Sequence, residues 1–299
     1  MNIAVIGGSG YIGTNLIKRL QKMRGYNIVS YDIIKPSINV NYIKGDLLDS
    51  ELLIKTLKNI DVVFLKAGIL GIPDHSKNKE FFDNYLNTNI IGVYNVLSAC
   101  KKNKVKKIIF DSSVAIYGEE KEAIFAREEI FSKPKNFYGL SKVNAERLLK
   151  IYSEQNDLNV IILRYSRVRD KQTKDVIFHF LNNLYNNKEV EIYGNPLKRI
   201  EFVDIEDVIS ANILALEKSI KFGQFNISTS EPISIIGLLR LCSEVLNKKI
   251  KYKVINTEHD IEPLFTQMDI TIAKDILGFI PKINLYNMVR NSAYIIKGV

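Results

Sequence analysis

The segment Gly7-Gly8-Ser9-Gly10-Tyr11-Ile12-Gly13 constrains this chain more than any other. It lies directly between an apolar run, Asn2–Ile6, and a stretch of helical spacing, Tyr11–Met23. Glycines permit a tight strand-to-helix turn and let backbone N–H groups approach a diphosphate, and the helix N-terminus adds partial positive charge. Two registers fit, Gly7-x-x-Gly10-x-x-Gly13 and Gly8-x-Gly10-x-x-Gly13. Asp32 follows Gly13 by 19 residues, at the end of the next extended run. A carboxylate there accepts hydrogen bonds from a ribose 2′-hydroxyl and repels a 2′-phosphate, which favours NAD over NADP. The alternative is a glycine-rich turn with Asp32 as a surface turn residue. The order strand, loop, helix, acid weighs against it. Asp46, in Gly45-Asp46-Leu47-Leu48-Asp49, either receives an adenine amino group or is an acidic loop residue.

The rest of the first half keeps the same alternation. Extended runs are expected at Asn27–Tyr31, Asn41–Lys44, Val62–Lys66, Lys107–Asp111 and Asn159–Arg164. Helical spacing fills Ser50–Lys58, Phe81–Lys102 and Gly139–Ser153. Such alternation implies βαβ units, and right-handed crossovers then give a doubly wound parallel α/β sheet covered by helices on both faces. After Tyr165 the rhythm changes. Helices are expected at Asp175–Asn187, Asp207–Ser219, Ser234–Leu246 and Ile270–Leu277, the last with Gly278 as a stop and Pro281 beyond it. Extended pieces are expected at Val190–Tyr193, Phe202–Val203 and Phe225–Ile227. The division expected is therefore a cofactor domain over residues 1–165 and a smaller, partly interleaved lobe over 166–299.

Composition narrows the classes. The chain has 299 residues with 46% apolar and 25% charged, which excludes disordered and collagen-like chains. Lys plus Arg is 42 against 33 Asp plus Glu, a formal net charge of +9. The densest basic run, Lys101–Lys107, has no interleaved stacking aromatics, so nucleic acid is not expected as a partner. It reads as a helix C-terminus, where cations suit the dipole. Cys100 and Cys242 lack metal-ligand spacing, so no metal is expected. No run of about 18 apolar residues and no signal-peptide pattern occurs, so the expectation is a cytoplasmic protein without a membrane partner.

A second constellation carries chemistry. Tyr138 and Lys142 are four residues apart at the start of a helical pattern, which puts them on one helix face. A nearby ammonium stabilises a phenolate, and such a phenol removes a hydroxyl proton while hydride leaves the carbon. Upstream, Asp111, Ser112 and Ser113 end an extended run at the edge where a parallel sheet binds its ligand. The serines either contact that ligand or cap the following turn.

With these residues in place, the chain resembles the extended short-chain dehydrogenase/reductase group, within the NAD-dependent epimerase/dehydratase family acting on nucleotide sugars. The likeness runs through GGSGYIG, GDLLD, DVVFLKAG (Asp61–Gly68), NTNIIGVYNVLSAC (Asn87–Cys100), SSVAIYG (Ser112–Gly118) and FYGLSK (Phe137–Lys142). It continues in LRY (Leu163–Tyr165), EIYG (Glu191–Gly194), FVDIEDV (Phe202–Val208), FNIS (Phe225–Ser228), EPISI (Glu231–Ile235) and Asp269–Leu285. The resemblance implies a Rossmann fold with Gly7, Gly10, Tyr11, Ile12 and Gly13 around the NAD diphosphate, Asp32 on the adenosine ribose, and Asp46 and Leu47 flanking adenine. It places Ala67 and Gly68 beside the dinucleotide, Asn89 as a structural residue near it, and Tyr165 near the nicotinamide. It makes Tyr138 the acid/base, Lys142 its partner and ribose contact, and Ser113 the contact to the substrate hydroxyl. It also implies a homodimer through the helices at Phe81–Lys102 and Gly139–Ser153.

Departures from the family pattern narrow the expected activity. Family dehydratases carry an acidic residue after the serine, where this chain has Val114 and Ala115. Epimerases of the GDP-fucose synthase type use a cysteine near that serine, and both cysteines here are elsewhere. Lys66 stands where the family has an apolar residue. After LRY, Arg167 replaces a family asparagine and either binds substrate phosphate or, with Arg169, is an exposed loop residue; Arg167, Arg169 and Arg199 are the cations tied to a substrate diphosphate. Arg199 neighbours Ile200, which occupies the usual column of a phosphate-binding arginine. The expected activity is NAD-dependent epimerisation of a nucleotide-linked sugar, UDP-sugar 4-epimerase-like. An NAD(P)-dependent reductase or dehydrogenase is the runner-up, and a non-catalytic dinucleotide-binding protein is the third reading.

Overall fold

The computed structural model describes residues 1–71, 79–118, 124–129, 132–255 and 266–298. The chain divides into two compact units. The first comprises Met1–Gly118, Phe131–Arg164 and Ile209–Phe225, and the second Glu119–Ile130, Tyr165–Val208 and Asn226–Val299.

The first unit carries the alternation seen in the sequence. Strands β1 (Asn2–Ile6), β2 (Asn27–Asp32) and β3 (Asn41–Lys44) are followed by β4 (Val62–Leu65), β5 (Lys107–Ser113) and, further along, β7 (Asn159–Tyr165). With β12 (Phe222–Ile227) they form one seven-stranded sheet in the order β12-β7-β5-β4-β1-β2-β3. The pairs β2–β3, β1–β2, β1–β4 and β4–β5 are parallel. This is the expected doubly wound sheet. Its strand order reverses between β1 and β4, which opens the ligand crevice at the carboxyl ends of those strands. The strands are apolar on both faces because helices cover both: Ile3, Val5, Val63, Phe64, Ile108 and Ile109 are fully buried.

Helices α1 (Tyr11–Lys22), α2 (Ser50–Thr56), α3 (Lys79–Asn84), α4 (Gly92–Asn103) and α5 (Phe137–Gln155) belong to this unit. One expectation needs correction. The spacing over Phe81–Lys102 predicts a continuous α-helix, but Tyr85–Ile91 forms a wider π-helical stretch between α3 and α4. Asn89 gives the physical reason for tolerating it. Its amide is buried and exchanges hydrogen bonds with both backbone groups of Ile69, at 2.8 and 3.1 Å, and donates to Ser141 at 3.0 Å. Such stretches interrupt α-helices where a side chain must be re-aimed.

The basic run ends α4, with Lys101 and Lys102 in its last turn, as its reading as a helix C-terminus expects, and departs from that reading only at its last residue. Lys104 adopts the left-handed cap after α4, and Lys106 is exposed in a pair with Asp157. Lys107, however, is buried. Its Nζ donates to the carbonyls of Ala215, Leu216 and Lys218 at 3.3, 2.6 and 2.7 Å, at the end of helix α7 (Ile205–Glu217).

The second unit contains β8 (Arg167–Arg169) paired with β11 (Phe202–Asp204), and β9 (Val190–Tyr193) paired with β14 (Tyr252–Ile255). β10 (Arg199–Ile200) pairs antiparallel with β13 (Ile233–Ser234), and β15 (Thr266–Met268) pairs with β6 (Ile124–Ala126). Helices α6 (Val176–Tyr185), α8 (Ile235–Leu246) and α9 (Leu285–Lys297) pack their apolar stripes around Phe180, Leu181, Leu238, Leu239, Cys242, Met288 and Val289. The tail helix expected at Ile270–Leu277 ends in a π-turn, Ala273–Leu277, and Gly278 terminates it in the left-handed conformation as its sequence position suggests. Both cysteines are buried free thiols, and burial pushes each above its ordinary range.

Candidate active site

The glycine loop leaves β1 and enters α1 within four residues. Gly7 takes φ +85°, a region that L side chains rarely adopt. A methyl group built on Gly7 would lie 2.6 Å from Ala67 Cα, and one on Gly13 would lie 2.8 Å from Gly8 Cα. Side chains are therefore excluded from the inner wall of the loop. Gly10 occupies the cap position of α1 and offers no side chain to the first-turn N–H groups. Tyr11 and Ile12 open that turn, where N–H groups and the helix dipole favour an anion. Thr14 Oγ1 donates to Gly8 O at 3.2 Å and fixes the loop from the helix side.

Asp32 ends β2 beside this loop. Its carboxylate accepts from Ser9 N at 2.9 Å and from Ile34 N at 3.1 Å, and a carboxylate retains further acceptor capacity for ribose hydroxyls. Asp46 uses one oxygen to accept from Leu48 N at 2.9 Å, in a turn after β3. Leu47 is buried against Gly92, and its carbonyl accepts from Asn95. These residues fit a dinucleotide: the loop excludes side chains, its helix N-terminus offers uncapped N–H groups, and a carboxylate stands at the end of the neighbouring strand.

Ala67 and Gly68 connect that loop to the second constellation. Ala67 touches Gly7, and a methyl group built on Gly68 would sit 3.2 Å from Lys142 Nζ and 3.3 Å from Asn89 Oδ1. Helix α5 opens on Asn136, whose side chain accepts from Gly139 N at 2.8 Å. This N-cap, absent from the sequence reading, starts the helix two residues before the expected Gly139 and sets Tyr138 in the first turn with Lys142 one turn below. Ser113 lies beside the Tyr138 phenol and acts on it in the direction that favours its ionised form. Ser113 Oγ also accepts from Ala115 N at 3.2 Å, which is the turn-capping role open to it in the sequence. Lys142 Nζ donates to Asp111 O at 2.9 Å and lies 4.8 Å over the Phe110 ring and 6.0 Å from the Tyr138 ring. The structure thus brings Ser113, Tyr138 and Lys142 together.

Burial dominates the electrostatics. It holds Lys142 down at about 8, with Lys66 adding to the depression while Asp111 and Glu146 oppose it. Burial pushes Tyr138 up to about 12, offset by Ser113 and reinforced by Asp111 and Tyr85. Tyr85 lies with its ring centroid 6.2 Å from that of Tyr138.

Several residues of this neighbourhood are absent from the sequence reading. Glu146 lies one further turn along the Tyr138–Lys142 face. It pairs with Arg164 at 2.6 Å and accepts from Ser112 at 2.5 Å and Gln224 at 2.9 Å. Its signal was the i, i+4, i+8 spacing. Asp111 and Lys66 are named in the sequence reading but not as partners; here Asp111 accepts from Lys66 Nζ at 2.5 Å. In the second unit, Tyr165 is buried at the end of β7. Arg167 and Arg199 are both exposed. Arg169 is not available to a diphosphate: it is 1% exposed and spent on Asp175 at 2.8 Å, Ser292 at 2.9 Å and Met288 O. The reading of Arg169 as an exposed loop residue or phosphate ligand is corrected by that burial.

The strand order, the glycine loop and the Ser–Tyr–Lys cluster define a Rossmann-type NAD-binding protein of the extended short-chain dehydrogenase/reductase kind. A sequence model of the NAD dependent epimerase/dehydratase family matches residues 3–228, and the chain belongs to that family. It is 26% identical over 310 residues to a Bacillus subtilis protein named an uncharacterized UDP-glucose epimerase, covering 97% of this chain and 96% of the relative. It is 30% identical over 266 residues to the dTDP-D-glucose 4,6-dehydratase of Dictyostelium discoideum, covering 80% and 60%. Among solved structures, the Bacillus cereus UDP-glucuronic acid 4-epimerase in complex with UDP-glucuronic acid and NAD matches at TM-score 0.87 and 27% identity, covering 100% and 99%. NAD is the cofactor of this family. No helix among the described residues is long and apolar enough to cross a membrane.

Proposed function

We propose that the protein is an NAD-dependent 4-epimerase of a UDP-linked sugar. The observation that carries the reading is the dipeptide Ala67-Gly68. It packs against the glycine loop at one residue and against Lys142 Nζ at the next, so the diphosphate cradle and the proton-transfer pair share one wall. Gly7, Gly10, Tyr11, Ile12 and Gly13 would hold the diphosphate, Asp32 the ribose, and Asp46, Leu47, Ala67, Gly68 and Tyr165 the remaining wall of the cofactor. When bound, NAD supplies the acceptor for a hydride and returns it.

The chain's own residues handle the proton. Ser113 orients the sugar hydroxyl toward Tyr138. Tyr138 Oη, as phenolate, takes the hydroxyl proton as the C–H electron pair leaves as hydride, and the sugar becomes a ketone. After the ketone turns over, the proton returns from Tyr138 to the oxygen as hydride returns to the opposite face. Lys142 favours the phenolate by its positive charge. A phenol is protonated at neutral pH even when unperturbed, and burial pushes Tyr138 further up, to about 12, so a neighbouring positive charge is the help it needs to act as a base. Arg167 and Arg199 are the cations proposed for the substrate diphosphate. Exposed Ile91, Tyr94, Leu140 and Ile151 on the helices expected at the dimer interface support a homodimer. Val114 and Ala115 provide no acid for dehydration.

The test is NMR of purified protein with UDP-glucose, UDP-glucuronic acid and UDP-N-acetylglucosamine. Inversion of one carbon without consumption of free NADH is expected. A deoxygenated keto-sugar product would make it a dehydratase instead, and stoichiometric NADH loss would make it a reductase.

A further inference from the structure

Beneath the Tyr138–Lys142 pair lies a buried charged cluster that epimerisation does not require. Lys66 follows β4, and its side chain is 1% exposed. Its ammonium donates to Asp111 Oδ1 at 2.5 Å and to Asn212 Oδ1 at 2.6 Å. Asp111 is two residues before Ser113 on β5. Asp111 therefore holds two ammonium groups at once, Lys66 through its carboxylate and Lys142 through its carbonyl oxygen at 2.9 Å.

Stability does not account for this pair. Removing two charges from water costs several kcal/mol per ion, and well-packed apolar residues in their place are often neutral or stabilising. Two apolar side chains after β4 and on β5 would continue the buried strand pattern. What the charges add is a fixed field and a fixed backbone position next to Lys142.

We propose that Lys66 and Asp111 form a charge-balanced positioning unit for Lys142 and Tyr138, in which Asp111 anchors the lysine and Lys66 cancels the carboxylate's pull on it. The proposal rests on the reading of Tyr138 and Lys142 as the proton-transfer pair. Its sign follows from Coulomb's law. Asp111 alone would favour the Lys142 ammonium and oppose a Tyr138 phenolate, while Lys66 alone would do the reverse. The groups facing Lys142 are Asp111 from β5, Lys66 from beyond β4, and Glu146 from its own helix. Glu146 is held in its pair with Arg164 at 2.6 Å and is left in place in the variants below, so the Lys66–Asp111 balance is the quantity they change. Those facing Tyr138 are Ser113, Asp111 and Tyr85.

The experiment titrates Lys142 directly, by NMR of protein labelled with ¹³Cε-lysine, the resonance being assigned by its loss in Lys142→Met. No turnover is needed, so the result stands even if no tested sugar is a substrate. In Lys66→Met the Lys142 midpoint is expected to rise by about one unit, and in Asp111→Asn to fall by about one unit. Asn212→Asp keeps the volume and leaves Lys66 a partner, and the extra negative charge is expected to raise the midpoint. This near-isosteric change keeps the proposal falsifiable if the other two variants do not fold. With any active sugar, the acid limb of the rate profile should move in the same directions. Midpoints that stay within about 0.2 units of wild type, or that move the same way in Lys66→Met and Asp111→Asn, would overturn the proposal and leave the cluster a structural pair.

Discussion

Lys142 Nζ donates a 2.9 Å hydrogen bond to the carbonyl oxygen of Asp111, so the ammonium is held by a main-chain atom rather than by a carboxylate. Burial then dominates and brings Lys142 from its ordinary 10.5 to about 8. Below pH 8 the folded and unfolded chains both carry the charge, and the cost of burying it is fully present. Between pH 8 and 10 the folded chain sheds the proton first, so stability rises with pH. Above pH 10 the raised Tyr138 pulls the other way, which closes the window. Wild type should therefore gain on Lys142→Met by about 2 kcal/mol between pH 7 and pH 10. Urea midpoints measured at both pH values check this. Parallel midpoints for the two proteins would contradict it.

Tyr138→Phe removes one hydroxyl from a partly buried ring and leaves Ser113 its contact to Ala115 N. Fold and NAD binding should survive, as read by thermal shift with NAD. Turnover should fall by about 10²–10⁴-fold, the usual share of general acid–base catalysis. A loss below tenfold would mean another group carries the proton.

Asp32→Ala removes the acceptor for Ser9 N and Ile34 N together with the carboxylate proposed for the ribose. NAD affinity should drop by about tenfold or more, because hydrogen bonds to a charged group are worth about 1.5–3 kcal/mol. The preference for NAD over NADP should fall as well, since the charge that repels a 2′-phosphate is gone. Calorimetric titration with each cofactor measures both. An unchanged ratio would place Asp32 as a loop brace only.

The parts of this site legible in the sequence are those fixed by local geometry. A tight turn needs glycine at Gly7 and Gly13, and four-residue spacing puts Tyr138 and Lys142 on one face. Partners joined across long separations left no local trace. Lys66 meets Asp111 and Asn212 across 45 and 146 residues, so its departure from an apolar pattern was visible while its destination was not. Arg167 and Arg169 look equivalent in sequence, two residues apart in a short strand. Only the carboxylate of Asp175 and the carbonyl and hydroxyl on α9 distinguish the buried arginine from the exposed one. The π stretch at Tyr85–Ile91 was hidden for the same reason, because Asn89 finds its partners on Ile69 and Ser141.

Lys107 tests whether the buried cations of this unit are functionally separable. Its ammonium caps three carbonyls at the end of α7, and it touches none of the residues proposed for cofactor or proton transfer. The last carbonyls of a helix have no partner within it, and a cation there also meets the negative end of the dipole. Lys107→Met keeps the stem and deletes the cap. Stability should fall by about 2–3 kcal/mol, since carbonyls are left buried without a donor. NAD affinity should remain within about twofold, because Lys107 starts β5 while Asp111 and Ser113 end it. Urea unfolding and cofactor titration on the same variant check both halves. A large loss of NAD affinity with little loss of stability would show that β5 transmits strain to the site.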